Sequence, residues 1–461
     1  MESTSSCRPS TSEWISSFVK KQFKAMKNNR SHGLKLQKRR NWVIFWIVLS
    51  LVSKFIIILN INSGIWLGAD GESYINGARA ILRDGFFSKD GVLQYWPAGY
   101  PLVVSIFAKI FGVYALPALS IFQSIIFAYG TWHFSRTLEM TKFSPLIIWI
   151  TFLISFAPTL SLSSLSVGYE SFAASLLLLS SSLLIRFLID EKRVFTTFIL
   201  FGSFSSLVIF MQPRYIAVST VWILLCFALL KNRKLLIVPS LLALIILLIL
   251  PGLLIARNYQ SSGSLTISNN LGVTMNLGAG FNASGGYTDS SSGVECVSAN
   301  PSDSDLVKCV LNWYLNNPRE TMRLAWNKSL YFWSPWYGPN ANGTMARNPW
   351  LKMNPAVSVA ATEDGKDIVF GVVGKVASSA WTLANILLMI AGVFFLWLSK
   401  GNNRKFLLIV AAPIMLSWII AIGTIGDHRF RVPVMSFVII LQIVGWSEFL
   451  RWRRMRDLNP R

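Results

Sequence analysis

Residues 68–112 read GADGESYINGARAILRDGFFSKDGVLQYWPAGYPLVVSIFAKIFG, and they join the first long apolar segment of the chain to the second. The first half predicts a short amphipathic helix, because its apolar residues recur on one helical face and Gly85 follows as a helix-ending residue. These apolar residues are Tyr74, Ile75, Ala78, Ile81 and Leu82. The second half, from Pro101 to Phe111, is about half as long as the ~20 residues that a membrane crossing needs. Both helices are therefore expected to lie along a membrane surface, with Asp70 at the start of the first.

The composition is typical of a polytopic membrane protein. Of the 461 residues, 53% are hydrophobic and only 14% are charged, and apolar runs of about 20 residues recur along the chain. The formal net charge of +22 would suggest a nucleic-acid partner for a water-soluble protein. In a membrane protein, however, basic residues mark the cytoplasmic connections. We therefore expect the bilayer, and no nucleic acid, as the partner of the basic segments.

Ten apolar segments predict an all-α protein with about ten transmembrane helices. They are 42–62, 117–135, 144–161, 166–187, 195–212, 215–230, 235–255, 376–398, 405–425 and 432–450. Lys and Arg concentrate in the connections on one side of these segments, together with both chain ends. The positive-inside rule then places both ends in the cytoplasm, in a plasma membrane such as the bacterial inner membrane.

This topology divides the chain into alternating membrane and solvent parts. They are a basic cytoplasmic tail (1–41), a transmembrane module (42–255) with its first outer loop (63–116), an extracytoplasmic loop domain (256–375), C-terminal transmembrane helices (376–450) and a basic cytoplasmic tail (451–461). The outer loop 256–375 is rich in Gly, Ser and Asn, which predicts a small mixed α/β or irregular domain.

The cysteines and histidines favour neither a metal site nor a cofactor. Cys296 and Cys309 both lie in the loop 256–375, where they can form a disulfide or remain two free thiols. The chain has three histidines and no cluster of Cys and His, so zinc chemistry is not expected.

Ionisable side chains that the topology gathers at the outer membrane face are the candidate functional residues, because charges near membrane depth are costly. They are Asp70, Glu72, Glu170, Arg214, Arg257, Asp427, His428, Arg429 and Arg431. A carboxylate can take a proton from a hydroxyl group, and arginines bind phosphate and offset the charge that develops on it. The combination is typical of glycosyl transfer from a lipid phosphate.

Each of these residues also has a purely structural interpretation. Asp70 could cap the helix that follows it, and Glu170 could complement the dipole of a helix start. Arg429 and Arg431 could be interfacial residues that reach water with their charged ends. Position along the chain leaves these alternatives open.

The order of motifs resembles glycosyltransferase superfamily C, in its protein mannosyltransferase-like and aminoarabinose transferase-like branch (glycosyltransferase family 39). An acid-x-x-x-Tyr pattern appears as Asp70 and Tyr74, and WPAGYPLVVSIFAKIFG is similar to the Pro-Tyr-Pro segment of that branch. Further similar segments are SVGYESFAASLLLL at 166–179, MQPRYIAV at 211–218, LLIARNYQSSGSLTISNNLGVTMNLGAGFNASGGY at 253–287, LNNPRETMRLAWNKSLYFWSP at 315–335 and GDHRFRVPVMSF at 426–437. The resemblance covers about residues 42–450. Two departures concern the acceptor side: the second acid stands at Glu72, and the Pro-Tyr-Pro segment reads Pro-Ala-Gly-Tyr-Pro.

The resemblance implies an inverting transfer of one sugar from a polyprenyl-phosphate donor to an acceptor hydroxyl at the extracytoplasmic face. Asp70 would be the catalytic base and Glu170 a second catalytic acid, and the acceptor would be a lipid, a polysaccharide or a protein. The donor phosphate would be bound by arginines, and the sugar or acceptor by further polar residues. The arginines are Arg214, Arg257, Arg429 and Arg431, and the substrate-binding residues are Glu72, Tyr74, Tyr100 and His428.

Two other classes of function remain open. A lipid-linked oligosaccharide ligase or polymerase also uses arginines of outer loops. A lipid or sugar transporter is the second alternative, although the chain lacks the internal repeats that are typical of many transporters.

Overall fold

The computed structural model describes residues 11–60, 70–230, 233–286, 293–296, 302–334, 372–398 and 401–458. Every regular element within these ranges is a helix. The prediction of an all-α chain is therefore confirmed for the described residues.

Eight helical segments of the described chain are long and apolar enough to cross a membrane. They are Leu36–Asn60, Gly99–Leu138, Glu170–Asp190, Val194–Met211, Arg233–Ser262, Ser379–Trp397, Asn402–Gly423 and His428–Arg454. A ninth candidate is the pair Ser144–Phe156 and Thr159–Leu165, which is bent by 55° at its break. The predicted segment 215–230 forms a shorter apolar helix, Tyr215–Leu229. A multi-pass membrane protein is thus confirmed, and each of the ten predicted segments is helical over most of its length.

We number the α-helices α1 to α17 in chain order. They are α1 (Thr11–Asn60), α2 (Gly71–Asp84), α3 (Gly91–Tyr95), α4 (Gly99–Phe111), α5 (Ala115–Leu138), α6 (Ile147–Phe156), α7 (Pro158–Leu162), α8 (Glu170–Asp190), α9 (Val194–Met211), α10 (Tyr215–Leu229), α11 (Ile237–Ser262), α12 (Leu271–Leu277), α13 (Asp303–Asn316), α14 (Pro318–Trp333), α15 (Val372–Trp397), α16 (Asn402–Gly423) and α17 (Met435–Leu458). A 3-10 helix, His428–Val434, leads into α17.

The chain reverses direction between α4 and α5. Gly112 ends α4 with a φ of 53°, a conformation that glycine adopts without a Cβ clash. As a result, the Tyr100 hydroxyl lies 3.0 Å from Oε1 of Gln123, and the rings of Phe107 and Phe122 lie 5.2 Å apart. The short apolar run that the sequence predicts is therefore a helix, and it folds back to pack on α5.

Helix α8 lies at the centre of the bundle. Of its most apolar stretch 83% is buried, compared with 17% for α1. Small residues permit this close packing: a Cβ at Gly130 of α5 would lie 3.0 Å from the backbone oxygen of Ser175 in α8. The N-terminus of this central helix is Glu170.

The described part of the loop 256–375 contains helices and irregular turns, and the predicted β component is absent from it. Side-chain hydrogen bonds take the place of a strand ladder after α11. The Asn258 amide donates to the carbonyls of Thr266 and Ile267 at 2.8 and 3.0 Å. These two backbone carbonyls therefore have a side-chain partner in place of a neighbouring strand.

Cys296 and Cys309 are bonded to each other. The Cα atoms of Cys296 and Cys309 lie 6.1 Å apart within a disulfide. The bond attaches the irregular residues 293–296 to α13 and resolves the alternative that the sequence leaves open.

Helix α14 packs on α16 through a buried lysine. Lys328 is 0% exposed, and its Nζ donates to the Tyr314 hydroxyl at 2.8 Å and to the carbonyl of Ile422 at 3.1 Å. No carboxylate is among these partners. Burial lowers the pKa of Lys328 from 10.5 to about 7, because a low-dielectric surrounding disfavours the charged form.

The stability of the protein is therefore expected to rise as the pH increases from about 7 towards 10.5. In this window the unfolded lysine keeps its proton while the folded lysine loses it, so the unfolded chain binds more protons. Lys328→Met should remove this rise, worth on the order of a few kcal/mol, as measured by the melting temperature of purified protein across the pH range. The matched control is Lys308→Met, since Lys308 is exposed on α13. An unchanged pH dependence in Lys328→Met would contradict the assignment.

Candidate functional site

Asp70 stands at the N-cap position of α2, but its side chain does not cap the helix. The backbone carbonyl of Asp70 accepts from the amide of Tyr74 at 3.0 Å and so starts the helix. The carboxylate makes no cap hydrogen bond and instead accepts from Nη1 of Arg429. The capping interpretation is thus excluded, and the carboxylate faces a residue that lies near the other end of the chain.

Glu170 approaches the same arginine from the start of α8. Its carboxylate accepts from Nε of Arg429, so this one guanidinium bridges both acids. The side chains of Arg429, Asp70 and Glu170 are only 10%, 19% and 11% exposed. Little water can screen the charges of this triad, which strengthens their mutual attraction.

A turn formed by Asp427, two residues earlier in the chain, holds the backbone of Arg429. The Asp427 carboxylate accepts from the amide of Arg429 at 2.8 Å, as an N-cap residue does at a helix start. This contact begins the 3-10 helix His428–Val434. The turn directs Arg429 towards the two carboxylates.

Two tyrosines and a second arginine surround the triad. The Tyr74 hydroxyl lies 3.5 Å from Nη2 of Arg429, and the Tyr169 ring lies 5.4 Å from the same guanidinium. Arg214 donates to the Tyr169 hydroxyl, and its guanidinium lies 4.0 Å from the ring of Phe430. Burial, and next the Asp70 carboxylate, raise the pKa of Tyr74 well above its usual value. Tyr74 therefore remains a neutral hydrogen-bonding group.

His428 and Arg431 form a second cluster on the same 3-10 helix. Both bind the carbonyl of Ser334, through Nδ1 of His428 at 2.7 Å and Nη2 of Arg431 at 2.8 Å. The ring of Trp333 lies 5.6 Å from the Arg431 guanidinium. Nε2 of His428 and Nη1 of Arg431 are buried and have no hydrogen-bond partner among the described residues. Because Nδ1 of His428 carries the proton that it donates to the Ser334 carbonyl, Nε2 of the neutral ring is a hydrogen-bond acceptor. Of these two atoms, Nη1 of Arg431 is the one that can donate to an anion.

A cavity of about 1090 Å³ borders these two groups. Its lining is mostly apolar and is formed by side chains of α6, α15 and α17. His428 and Arg431 also line it. At its other end the lining includes Arg451 and Arg454. We call this cavity the lipid-facing groove, since it runs along membrane-spanning helices.

The structure brings together most of the residues that the sequence proposes. Asp70, Tyr74, Glu170, Arg214 and Arg429 form one connected group. His428 and Arg431 are neighbours at the mouth of the groove, with Nδ1 of His428 3.0 Å from Nη2 of Arg431.

Three other predicted site residues lie in different surroundings. Arg257 is 0% exposed, and its guanidinium donates to the carbonyls of Phe86, Ser88 and Leu93. These contacts favour a structural tie between α11 and the first outer loop over the predicted phosphate contact. Tyr100 is also 0% exposed, with its hydroxyl bound within the protein, which disfavours direct substrate contact. Glu72 is exposed on the first turn of α2.

Sequence reasoning missed two features of the site. Tyr169 lies between Arg214 and Arg429, and only its position next to Glu170 hinted at this. The carbonyl of Ser334, which holds both His428 and Arg431, carries no signal in the sequence, because every residue has a carbonyl.

Comparison of the sequence with protein-family models and with curated proteins finds no match.

Proposed function

We propose that the protein is an integral membrane glycosyltransferase with the superfamily C architecture, and that it moves a sugar from a polyprenyl-phosphate donor to an acceptor hydroxyl at the outer membrane face. The observation that carries this proposal is the lipid-facing groove, which ends at His428 and at the unpartnered Nη1 of Arg431. Arg429, which lies two residues before Arg431 on the same 3-10 helix, binds the carboxylates of Asp70 and Glu170. An apolar channel, a cationic end and a base are the three parts that this reaction requires.

The length of the groove supports a long-chain lipid. Helix α17 lines it from Met435 to Arg454, which at about 1.5 Å per residue is roughly 29 Å. This is close to the ~30 Å of a whole hydrocarbon core. An acyl chain of an ordinary phospholipid occupies one leaflet, whereas a polyprenyl chain is long enough to follow the groove through both.

The distribution of charge separates the roles of the two arginines. Arg429 is engaged by two carboxylates, so its charge is already compensated. Arg431 contacts a carbonyl, an imidazole and an indole, and no carboxylate among its described partners. Arg431 therefore retains a positive charge for an anionic head group, while Arg429 organises the acids.

In the proposed reaction, the Asp70 carboxylate takes the proton of the acceptor hydroxyl. The acceptor oxygen forms a bond to the anomeric carbon, and the bond from that carbon to the phosphate oxygen breaks. The electron pair leaves with polyprenyl phosphate, whose charge Arg431 stabilises. Attack opposite to the leaving group inverts the anomeric centre. Glu170 keeps Arg429 in place beside the base, and Arg214 positions the Tyr169 ring next to it.

The proposal includes the topology that the sequence suggests. The chain crosses the membrane ten times, with both ends in the cytoplasm of a bacterial cell and the site at the outer face. The acceptor is a lipid, a polysaccharide or a protein.

The test is a turnover assay with purified protein and a panel of polyprenyl-phosphate sugars, with free polyprenyl phosphate as the readout. We expect release from one donor, with long-chain donors favoured over short-chain analogues. Arg431→Gln should raise the donor KM by on the order of 10-fold to 100-fold, because one charge-assisted hydrogen bond is lost.

The matched control is Arg404→Gln, since Arg404 also stacks on an indole, that of Trp397 at 4.6 Å, but is not part of the groove lining. An unchanged donor KM in Arg431→Gln would refute the phosphate contact. Release from none of the donors by well-folded protein would refute the transferase, and transport of an intact lipid would then point to a transporter.

A further inference from the structure

A buried network of hydrogen bonds connects α4 and α5 to the backbone segment before Glu170. The Tyr100 hydroxyl donates to Oε1 of Gln123 at 3.0 Å and accepts from the amide of Gly168 at 2.9 Å. The Gln123 amide donates to the carbonyls of Ser164 and Ser166 at 3.2 and 3.1 Å. Tyr100 and Gln123 are both 0% exposed, so every polar atom of these two side chains has a partner within the protein.

These hydrogen bonds hold the backbone segment that leads to Glu170. Between α7 and α8 the residues 163–169 form no α-helix, yet they lie buried in the bundle. Buried backbone groups require hydrogen-bond partners, and here Gln123 supplies partners for two carbonyls and Tyr100 for one amide. The last of these anchored groups, the amide of Gly168, precedes Glu170 by two residues.

The ring of Tyr100 also reaches the other side of the triad. Its centroid lies 5.0 Å from that of Tyr74 in an edge-to-face contact. The Tyr74 hydroxyl in turn lies 3.5 Å from Nη2 of Arg429. Tyr100 thus contacts both the segment that carries Glu170 and a residue that contacts the guanidinium.

We propose that Tyr100 and Gln123 are positioning residues. They hold the Glu170 carboxylate in contact with Arg429, and Arg429 in turn holds the Asp70 base in place. The α4–α5 hairpin is the element that presents both side chains. The consequence for turnover rests on the proposed function, whereas the mechanical coupling to Glu170 does not.

The coupling is tested by a double-mutant cycle between Tyr100→Phe and Glu170→Gln, read out by melting temperature. Residues that act through one network show non-additive effects. We expect the loss of melting temperature caused by Tyr100→Phe to be less than half as large in the Glu170→Gln background as in the wild type. Tyr314→Phe is the control, because it removes a partly buried hydroxyl that binds Lys328 instead, and the loss of melting temperature that it causes should be the same in both backgrounds.

Additive effects of Tyr100→Phe and Glu170→Gln would overturn the proposal. If Tyr100→Phe does not yield folded protein, Gln123→Met replaces it in the same cycle, since it removes the amide at nearly constant length. This cycle requires no substrate, so it gives a result even if the proposed transferase activity is wrong.

The kinetic test separates positioning from substrate contact. With the donor that the wild type uses, Tyr100→Phe should lower kcat by on the order of 10-fold to 100-fold, because small displacements of reacting groups are costly. The donor KM should stay within the error of the wild-type value. A higher donor KM with an unchanged kcat would show that Tyr100 contacts the substrate, and it would refute the positioning role.

Discussion

Asparagine in place of Asp70 is expected to lower the release of polyprenyl phosphate by about 10²–10⁴-fold, the range that a general base contributes. The side chain of Asp70 does not cap α2, and its carboxylate binds Arg429 instead. An asparagine oxygen can still accept from that guanidinium, and Glu170 keeps its own contact with it. The variant should therefore fold and bind the donor, while its amide cannot take a proton from the acceptor.

The control for this prediction is Asp84→Asn at the other end of α2. Asp84 is also paired with an arginine, Arg83, at 2.7 Å, but that pair is exposed and separate from the triad. Turnover by Asp84→Asn should equal that of the wild type. Near-normal turnover by Asp70→Asn would remove Asp70 from the mechanism and would favour a ligase or polymerase that acts through arginines alone.

Methionine in place of Arg429 is expected to destabilise the protein by about 3–5 kcal/mol, the usual cost of removing one partner from a buried ion pair. The guanidinium is the shared partner of Asp70 and Glu170, and all three side chains are largely buried. Its loss leaves two carboxylates close together with no compensating charge in contact. The free energy of unfolding or, where unfolding is irreversible, the melting temperature of purified protein measures the effect.

The second-site variant Glu170→Gln should restore part of this stability, because it removes one of the two uncompensated charges. Arg323→Met serves as the control: Arg323 pairs with Glu320 at 2.6 Å on the protein surface, and exposed pairs contribute about 0–1 kcal/mol. Arg323 also donates to the carbonyls of Phe281 and Ala283. Equal losses for Arg429→Met and Arg323→Met would mean that the triad is hydrated and contributes little.

Local patterns predicted the helices well, and the reason is visible at individual residues. The apolar face from Tyr74 to Leu82 forms α2, which ends at Gly85 with a φ of 85°. The run from Pro101 to Phe111 ends in the same way, at Gly112. Helix formation and helix termination depend on residues within a few turns of one another, so the sequence reports them directly.

The error in the loop 256–375 has a similar local origin. Its Gly-, Ser- and Asn-rich composition is compatible with turns as well as with strand ends. In the described structure Asn258 binds the carbonyls of Thr266 and Ile267, a contact that no propensity scale includes.

By itself, the sequence determined the all-α membrane class, the positions of the helices and the set of charged residues from which a site could be built, because hydropathy and helical spacing are local properties. Only the tertiary structure decided which of these residues meet. Arg429 joins Asp70 and Glu170 across 359 and 259 positions of the chain, while Arg257 turns to the backbone of the first outer loop. Such contacts, like the groove that ends at Arg431, arise from the packing of helices distant in sequence, and the shape complementarity that directs this packing leaves no periodic signal along the chain.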